Sequence, residues 1–184
     1  SSSLGPLSQR SNCVGGGAAR CHTIFAEVIS VENLVRAWER FRIGKMAKRE
    51  VAQFALCVED HLFALHAELE NGLYIHGPYE QFVVHDPKRR WINKASVRDR
   101  IVHQAIVQVI EPIFERTFIF DSYSSRVGKG THACRERMAK FLRQASANDH
   151  RNVWVLQCDI RRFFESIRHD MLLALLGARV RDPS

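Results

Sequence analysis

The most informative stretch of this chain is residues 153–170, which read VWVLQCDIRRFFESIRHD. Residues 154–160 alternate like a strand and are largely apolar on both faces, which predicts a buried strand. Residues 166–176 have helical spacing. The sequence therefore predicts that a buried strand delivers Asp159 to the start of a helix, with Phe163 and Phe164 at the turn between them.

Asp159 is the first candidate for chemistry. A carboxylate at the end of a buried strand costs free energy unless a cation, strong hydrogen-bond donors or water meets it. Magnesium would satisfy Asp159, because Mg²⁺ takes carboxylate oxygens together with phosphate and water oxygens. A helix-capping role or a salt bridge would satisfy it equally, and on spacing alone these structural roles are favoured.

The composition indicates a folded domain with a basic surface. The chain has 184 residues, 46% of them hydrophobic, with a formal net charge of +7 and a pI of about 9.5. This is enough apolar material for one domain with a core. The excess of Lys and Arg favours a polyanionic partner, although a solvated basic face has the same composition.

Cysteine usage and hydropathy indicate in which cellular compartment the protein is expected. Five cysteines without a CxxC pair predict reduced thiols in a cytoplasmic protein. A zinc site at Cys13, Cys21 and His22 is disfavoured, because no second ligand pair follows at finger spacing. No apolar run approaches the ~20 residues of a membrane span, so no membrane partner is expected. Residues 1–22, rich in Ser and Gly, are predicted to be a flexible lead-in.

Helical spacing dominates residues 31–72. The apolar residues recur every three or four positions, which predicts two amphipathic helices separated near Gly44. Asn71-Gly72 is predicted to end the second helix, because these residues accept the left-handed conformation found at helix ends.

A basic hairpin follows. Residues 81–84 and 91–94 are predicted to be strands on either side of a turn that begins at Asp86. Cations on the hairpin could bind a triphosphate, because phosphate oxygens accept bidentate Arg bonds and attract a Lys charge. A solvated basic hairpin is the alternative, with comparable weight. The cations on and after the hairpin are Lys88, Arg89, Arg90, Lys94, Arg98 and Arg100.

The remaining segments complete an α+β mixture. Residues 97–114 have helical spacing, with Pro112 disturbing the last turn. Residues 118–123 are predicted to be a strand, and residues 127–130 a basic loop. Thr131 is predicted to cap the next helix by accepting a backbone N–H bond.

Several motifs occur in order between residues 79 and 169. They are Tyr79-x-x-Phe82, Asp86-Pro87-Lys88-x-Arg90-x-Ile92, Val97-Arg98-Asp99-Arg100-Ile101-Val102-His103-x-Ala105, Ile110-Glu111-Pro112-Ile113-Phe114-Glu115, Asp121-Ser122-Tyr123-x-x-Arg126-x-Gly128-Lys129-Gly130-Thr131-His132 and Asp159-Ile160-x-x-Phe163-Phe164-x-Ser166-Ile167-x-His169. Together they resemble one family, the bacterial reverse transcriptases of the group that includes group II intron, retron and diversity-generating enzymes. The resemblance covers about residues 32–176 and is strongest from Tyr79 onward.

The resemblance implies the N-terminal part of a right-hand polymerase with an α+β fold. Residues 23–76 would form an N-terminal helical segment, residues 77–152 the fingers, and residues 153–184 the start of the palm. The family's Tyr-x-Asp-Asp strand, which supplies the remaining metal carboxylate, and its thumb are missing from the sequence. The resemblance therefore implies a chain truncated before the second acidic motif.

The resemblance also assigns roles to individual residues. Asp159 would be catalytic and bind Mg²⁺ together with the backbone carbonyl of Ile160. Phe164 resembles the aromatic gate that excludes a ribose 2′-hydroxyl and so selects deoxynucleotides. The residues implied to bind the deoxynucleoside triphosphate are Lys88, Arg90 and Phe164, and those implied to contact nucleic acid are Arg98, Arg126 and Lys129.

The implied activity is RNA-directed DNA polymerisation. Magnesium would assist transfer of deoxynucleotides to a DNA primer 3′-hydroxyl on an RNA template. This chain alone is expected to be inactive, because the partner carboxylate is missing. The main alternative is a non-catalytic module or polymerase remnant that binds structured RNA. A plain helical interaction domain with incidental charge is a third alternative.

Overall fold

The computed structural model describes residues 23–86 and 88–180, and this part of the chain is a helix-rich α+β fold. The predicted lead-in and the Cys13, Cys21 and His22 group lie outside the described residues. Two strands, β1 (Glu80–Val84) and β2 (Arg90–Lys94), form an antiparallel pair. The helices are α1 (Ile24–Ile29), α2 (Val31–Arg42), α3 (Arg49–Leu56), α4 (Val58–Glu70), α5 (Val97–Glu115), α6 (Thr131–Ala145), α7 (Phe163–Ser166) and α8 (His169–Gly177).

The core lies where α2, α4 and α5 pack together. Leu34, Leu65 and Ile101 are fully buried there, one from each of these helices. Asn33 of α2 is a buried polar residue, and its side-chain amide donates to the carbonyls of Val28 and Ala105. These two hydrogen bonds join α1 and α5 to α2. Breaking either of them would leave a buried N–H without an acceptor, which costs free energy.

Local chemistry explains where the helices begin and end. Ser30 and Ser96 cap α2 and α5, each accepting a bond from the backbone N–H three residues later. The predicted stop at Asn71-Gly72 is confirmed, with Gly72 at a φ of +68°. The second predicted helix is interrupted at Cys57 and forms both α3 and α4. Helix α1 lies within the expected N-terminal helical segment, 23–76, but ahead of the residues with helical spacing.

The predicted hairpin is confirmed. The register places Val84 opposite Arg90 and Glu80 opposite Lys94. At its base, Lys94 Nζ lies 2.7 Å from a carboxylate oxygen of Glu50 in α3 and 3.0 Å from one of Glu80. The hairpin is therefore held against the helical core at its base, while its tip is exposed.

The predicted strand at residues 118–123 is wrong, because the segment forms turns. Side chains bind its carbonyl groups: Arg126 donates to Ile119 and Ser122, and Lys129 donates to Phe120. These carbonyls therefore have partners without a neighbouring strand.

The predicted capping role of Thr131 is also wrong. Gly130 occupies the N-cap position of α6 with a φ of +113°, and Thr131 is the first helical residue. Glycine adopts this backbone conformation without steric cost. The helix therefore begins at Thr131 itself, one residue earlier than a capping Thr131 would give.

The predicted buried strand at residues 154–160 is wrong within the described part of the chain. The segment is irregular and exposed, with Trp154 98% exposed. A strand needs a hydrogen-bonding partner, and the described residues pair only β1 with β2. The helix predicted to follow is divided into α7 and α8, with a break at Ile167-Arg168.

No helix among the described residues has the length and apolar character needed to cross a membrane.

Candidate nucleic-acid interface and metal centre

The tip of the hairpin carries three exposed cations, Lys88, Arg89 and Arg90. The Arg89 guanidinium carbon lies 5.9 Å from the centre of the Trp91 ring. Within the described residues no carboxylate lies within ion-pair distance of any of the three cations, whose charges are therefore available to an external anion. We call these three residues the tip cations.

The other cations of the predicted basic group are engaged within the protein. Arg100 Nη2 lies 2.8 Å from a Glu50 oxygen, so Glu50 binds both Arg100 and Lys94. Burial alone would raise the pKa of Glu50, but hydrogen bonds from Lys94 and Arg100 outweigh it and lower the pKa. Arg98 forms an ion pair with Glu68 of α4. The sequence alone does not separate these structural cations from the tip cations.

A buried carboxylate beneath the hairpin was not predicted as a structural centre. Asp99 in the first turn of α5 is 1% exposed. Its Oδ1 accepts from the Tyr74 hydroxyl at 2.8 Å, and its Oδ2 accepts from Ser96 Oγ at 2.7 Å and the Gly77 N–H at 3.3 Å. A Cβ at Gly77 would lie 3.1 Å from Asp99 Oδ2, so this approach favours glycine. The network fixes the chain entering the hairpin to the start of α5.

These hydrogen bonds also affect the ionisation of Asp99 and Tyr74. Burial would raise the pKa of Asp99, but the hydrogen bonds from Ser96, Tyr74 and Gly77 lower it overall. Burial and the neighbouring carboxylate both raise the pKa of Tyr74. At neutral pH the pair is therefore a phenol that donates to a carboxylate.

Arg126, predicted to contact nucleic acid, is enclosed in its own loop. Its side chain is 9% exposed and binds both carboxylate oxygens of Glu115, with contacts of 2.6 to 3.0 Å. The same guanidinium donates to the carbonyls of Ile119 and Ser122 at 3.0 and 2.8 Å. This geometry favours a structural role that holds the loop between α5 and α6, and the nucleic-acid contact of Arg126 stays a prediction.

Lys129 and Arg137 form a mixed cation and aromatic surface with Phe120 and Phe141. Lys129 Nζ lies 3.7 Å from the centre of the Phe120 ring, and the Arg137 guanidinium lies 5.2 Å from that ring and 4.4 Å from Phe141. The Phe120 side chain is nevertheless 67% exposed. Arg137 also forms an ion pair with Asp121 at 2.8 Å, and Lys129 donates to the carbonyl of Phe120, so both cations have partners within the protein. The exposed rings of this surface are of the kind on which bases stack.

Asp159 is exposed, and its Oδ1 accepts the N–H of Ile160 at 3.0 Å. The N-cap of α7 is Arg162 rather than Asp159, and no cation of the described residues lies within ion-pair distance of the carboxylate. Neither structural alternative for Asp159 is therefore observed. The Phe164 ring, 85% exposed, packs edge-on against Phe163 at 5.3 Å between ring centres.

The fit of this region to magnesium is partial. Asp159 and the carbonyl of Ile160 are oxygen donors of the kind that Mg²⁺ accepts. Among the described residues, however, no three His, Cys, Asp or Glu side chains come together in a group that could hold a metal ion. The described residues alone therefore do not form a magnesium site, and the metal role of Asp159 stays a prediction.

Several known proteins are similar to parts of this chain. A 94-residue stretch, 51% of this chain, is 32% identical to the Schizosaccharomyces pombe protein named "Uncharacterized 91 kDa protein in cob intron". A 136-residue stretch, 73% of the chain, is 29% identical to "Protein YkfC" of Escherichia coli. An 85-residue stretch, 46% of the chain, is 25% identical to "Nuclear intron maturase 1, mitochondrial" of Arabidopsis thaliana. No protein-family model matches the chain.

The matched stretches cover 11%, 35% and 11% of these three relatives, so the chain spans only a minor part of their length. Two of the three names refer to introns, one as the location of the protein and one as the object of a maturase. Over part of its length, this chain is therefore similar to proteins whose names refer to introns.

Proposed function

We propose that this chain is the fingers portion of a reverse-transcriptase-related protein and that it binds RNA. The observation that carries the proposal is the set of tip cations, which have no ion-pair partner among the described residues. Relatives named for introns support an RNA partner. The bacterial subgroup, the cytoplasmic location and the domain boundaries at residues 77 and 153 stay predictions.

The hairpin exposes positive charge that a phosphate backbone can contact. Lys94 and Glu50 hold its base against α3. The tip cations are left exposed, so an RNA strand can approach them without breaking an internal ion pair. Arg forms bidentate bonds with phosphate oxygens, while Lys acts as a point charge. We expect these contacts to add affinity without reading sequence.

The surface around Phe120 supports binding of single-stranded RNA. Its exposed ring can stack on a base, because every base has an aromatic face. Lys129 and Arg137 lie beside this ring and add positive charge to the surface, although the charge of Arg137 is shared with Asp121. The proposed interface therefore combines phosphate contacts at the tip with stacking near α6.

Fluorescence anisotropy with labelled RNA tests this proposal. We expect Lys88→Ala/Arg90→Ala to weaken binding of a 20-nucleotide single strand and of an RNA hairpin. The matched control is Arg36→Ala/Arg40→Ala, which removes the same charge from exposed positions of α2. Equal losses in the two variants would show that only net charge matters, and the tip would then not be the interface.

RNA-directed DNA polymerisation is the second candidate function. It is favoured by the exposure of Asp159 and of Phe164 in α7, which leaves both side chains accessible to a metal and a nucleotide sugar. In this proposal Asp159 and the Ile160 carbonyl hold Mg²⁺, Lys88 and Arg90 bind the triphosphate, and Phe164 excludes a 2′-hydroxyl. Bound magnesium would activate the primer 3′-hydroxyl and stabilise the charge of phosphoryl transfer.

Primer extension tests the polymerase proposal. We expect the natural full-length protein to incorporate deoxynucleotides on a primed RNA template when magnesium is present, because in this proposal Asp159 holds the metal. Magnesium-dependent incorporation that is lost in Asp159→Ala would establish polymerase activity in this protein. Incorporation that is equal in the two proteins would remove Asp159 from the mechanism.

A further inference from the structure

The hairpin of β1 and β2 is attached to the rest of the protein at few points. Within the described residues, neither strand packs extensively against a helix. The chain on either side of the hairpin is fixed, at Gly77, whose N–H donates to Asp99, and at Ala95, which is 6% exposed. A body held at two points can still rotate about the line that joins them. The tilt of the hairpin therefore depends on a further contact.

Glu50 of α3 supplies that contact. One of its carboxylate oxygens lies 2.7 Å from Lys94 Nζ at the end of β2, and the other lies 2.8 Å from Arg100 Nη2 in α5. The other acidic partner of Lys94 is Glu80, which lies within the hairpin. In the described part of the chain, no other ion pair or side-chain hydrogen bond joins a strand of the hairpin to a helix. Glu50 therefore fixes the hairpin against both α3 and α5.

The contact through Glu50 reaches back to the hydrophobic core. The Arg100 guanidinium lies 5.0 Å from the centre of the Phe41 ring, which is 5% exposed. The side chains of Glu50, Lys94 and Arg100 are themselves only 31%, 28% and 21% exposed. Partly buried ion pairs are screened by salt less than exposed pairs are. The base of the hairpin is therefore connected to a rigid part of the molecule.

The tip cations lie at the opposite end of the hairpin from this connection. Strand β2 has five residues, from Arg90 near the tip to Lys94 at the base, so its ends are about 13 Å apart. A tilt of about 10° at the base would move the tip by about 2 Å. The length of an N–H···O hydrogen bond varies by only about 0.5 Å. A small change at Glu50 is therefore enough to misplace the tip cations.

We propose that Glu50 is a positioning residue for RNA binding: it holds the base of the hairpin so that the tip cations are directed at the RNA backbone. This inference rests on the RNA-binding proposal. It differs in sign from the effect of charge alone, because removing a negative charge from a basic protein should strengthen RNA binding. If Glu50 orients the tip, removing its charge weakens binding instead.

Fluorescence anisotropy of the natural full-length protein with a labelled 20-nucleotide RNA tests this sign. Glu50→Gln keeps the size of the side chain and removes its charge, and we expect RNA binding to weaken about threefold. Glu50→Asp keeps the charge but is one methylene shorter, so it cannot keep both contacts without moving the hairpin; we expect binding to weaken about twofold. The matched control is Glu80→Gln, which removes the same charge beside Lys94 and leaves the contact with α3 intact. It should bind RNA at least as tightly as wild type.

Two further measurements show whether Glu50 acts through the tip. In Lys88→Ala/Arg90→Ala the tip cations to be oriented are absent, so adding Glu50→Gln should weaken RNA binding no further. Hydrogen exchange without RNA reports on the attachment of the hairpin itself. In Glu50→Gln, exchange should become about threefold faster in residues 80–94 and stay unchanged in residues 103–115 of α5. Circular dichroism checks that each variant is folded.

The possible failures are distinguishable. Tighter RNA binding by Glu50→Gln, or a loss that adds to that of Lys88→Ala/Arg90→Ala, overturns the positioning role and leaves RNA binding by the tip intact. Unchanged exchange in residues 80–94 also overturns it, because Glu50 would then not hold the hairpin. If Lys88→Ala/Arg90→Ala binds RNA as tightly as wild type, the RNA-binding proposal itself fails, and the positioning role fails with it.

Discussion

Replacing Asp99 should destabilise the fold, because this carboxylate joins the chain before the hairpin to the start of α5. It accepts hydrogen bonds from Tyr74, Ser96 and Gly77 while only 1% exposed. A hydrogen bond to a charged group contributes about 1.5–3 kcal/mol, and a buried donor left without an acceptor adds a desolvation cost. Since relaxation recovers part of the loss, we expect Asp99→Ala to lower the free energy of unfolding by about 3 kcal/mol.

Urea unfolding monitored by circular dichroism measures this loss. In Asp99→Asn an acceptor oxygen remains and only the charge is removed, so the expected loss is about 1–2 kcal/mol. Glu136→Gln is the control, because it removes one negative charge at an exposed position of α6 and should change stability by less than about 0.5 kcal/mol. If Asp99→Ala also stays within that range, the network does not hold the hairpin to α5.

The pH dependence gives an independent test of the same network. The pKa of Asp99 is lower in the folded chain than its ordinary value. Its contribution is therefore complete above the unfolded pKa of about 4 and is lost as the pH falls through the folded pKa. We expect the wild-type protein to lose more stability than Asp99→Asn between about pH 4 and pH 2. Parallel stability curves would contradict this account of the shift.

Three further substitutions test other parts of the structure. Leu34→Ala removes a fully buried side chain and should cost about 2–5 kcal/mol in urea unfolding. Arg126→Ala leaves Glu115 and two loop carbonyls without their donor, so we expect faster hydrogen exchange in residues 116–130. Trp154→Ala should change the unfolding free energy by less than about 0.5 kcal/mol, because the ring is exposed. Unchanged exchange in Arg126→Ala, or a large loss in Trp154→Ala, would contradict the observed packing.

The parts of the fold that depend on local sequence were predictable. Helix α5 and the hairpin follow from apolar spacing and turn residues, and both were predicted nearly to their observed bounds. Helix α1 lies within the expected helical segment 23–76, but its own bounds were not predicted, because its six residues are too few for a reliable periodic signal. The predictions at residues 118–123 and 154–160 failed because a strand depends on a partner elsewhere in space, which spacing along one segment does not show.

The candidate site was predictable only as a set of residue types. Lys88 and Lys94 look equivalent in the sequence, yet the tip leaves Lys88 exposed while Glu50 and Glu80 bind Lys94. Glu50 lies in α3, far along the sequence from Lys94 in β2, so their ion pair depends on tertiary packing. Likewise, the enclosure of Arg126 by Glu115 depends on how the loop turns back to α5. Whether a cation is structural or free for a ligand is therefore settled by distant contacts.

The salt dependence of RNA affinity tests the central claim most directly. Each phosphate contact on a single strand adds about 0.7 to the slope of log affinity against log salt concentration. We predict a steep fall in affinity for the wild-type chain between about 50 and 200 mM salt. The slope should decrease by about 1.4 in Lys88→Ala/Arg90→Ala and remain unchanged in Arg36→Ala/Arg40→Ala. RNA affinity independent of salt, or the same slope in all three proteins, would contradict RNA binding through the tip cations.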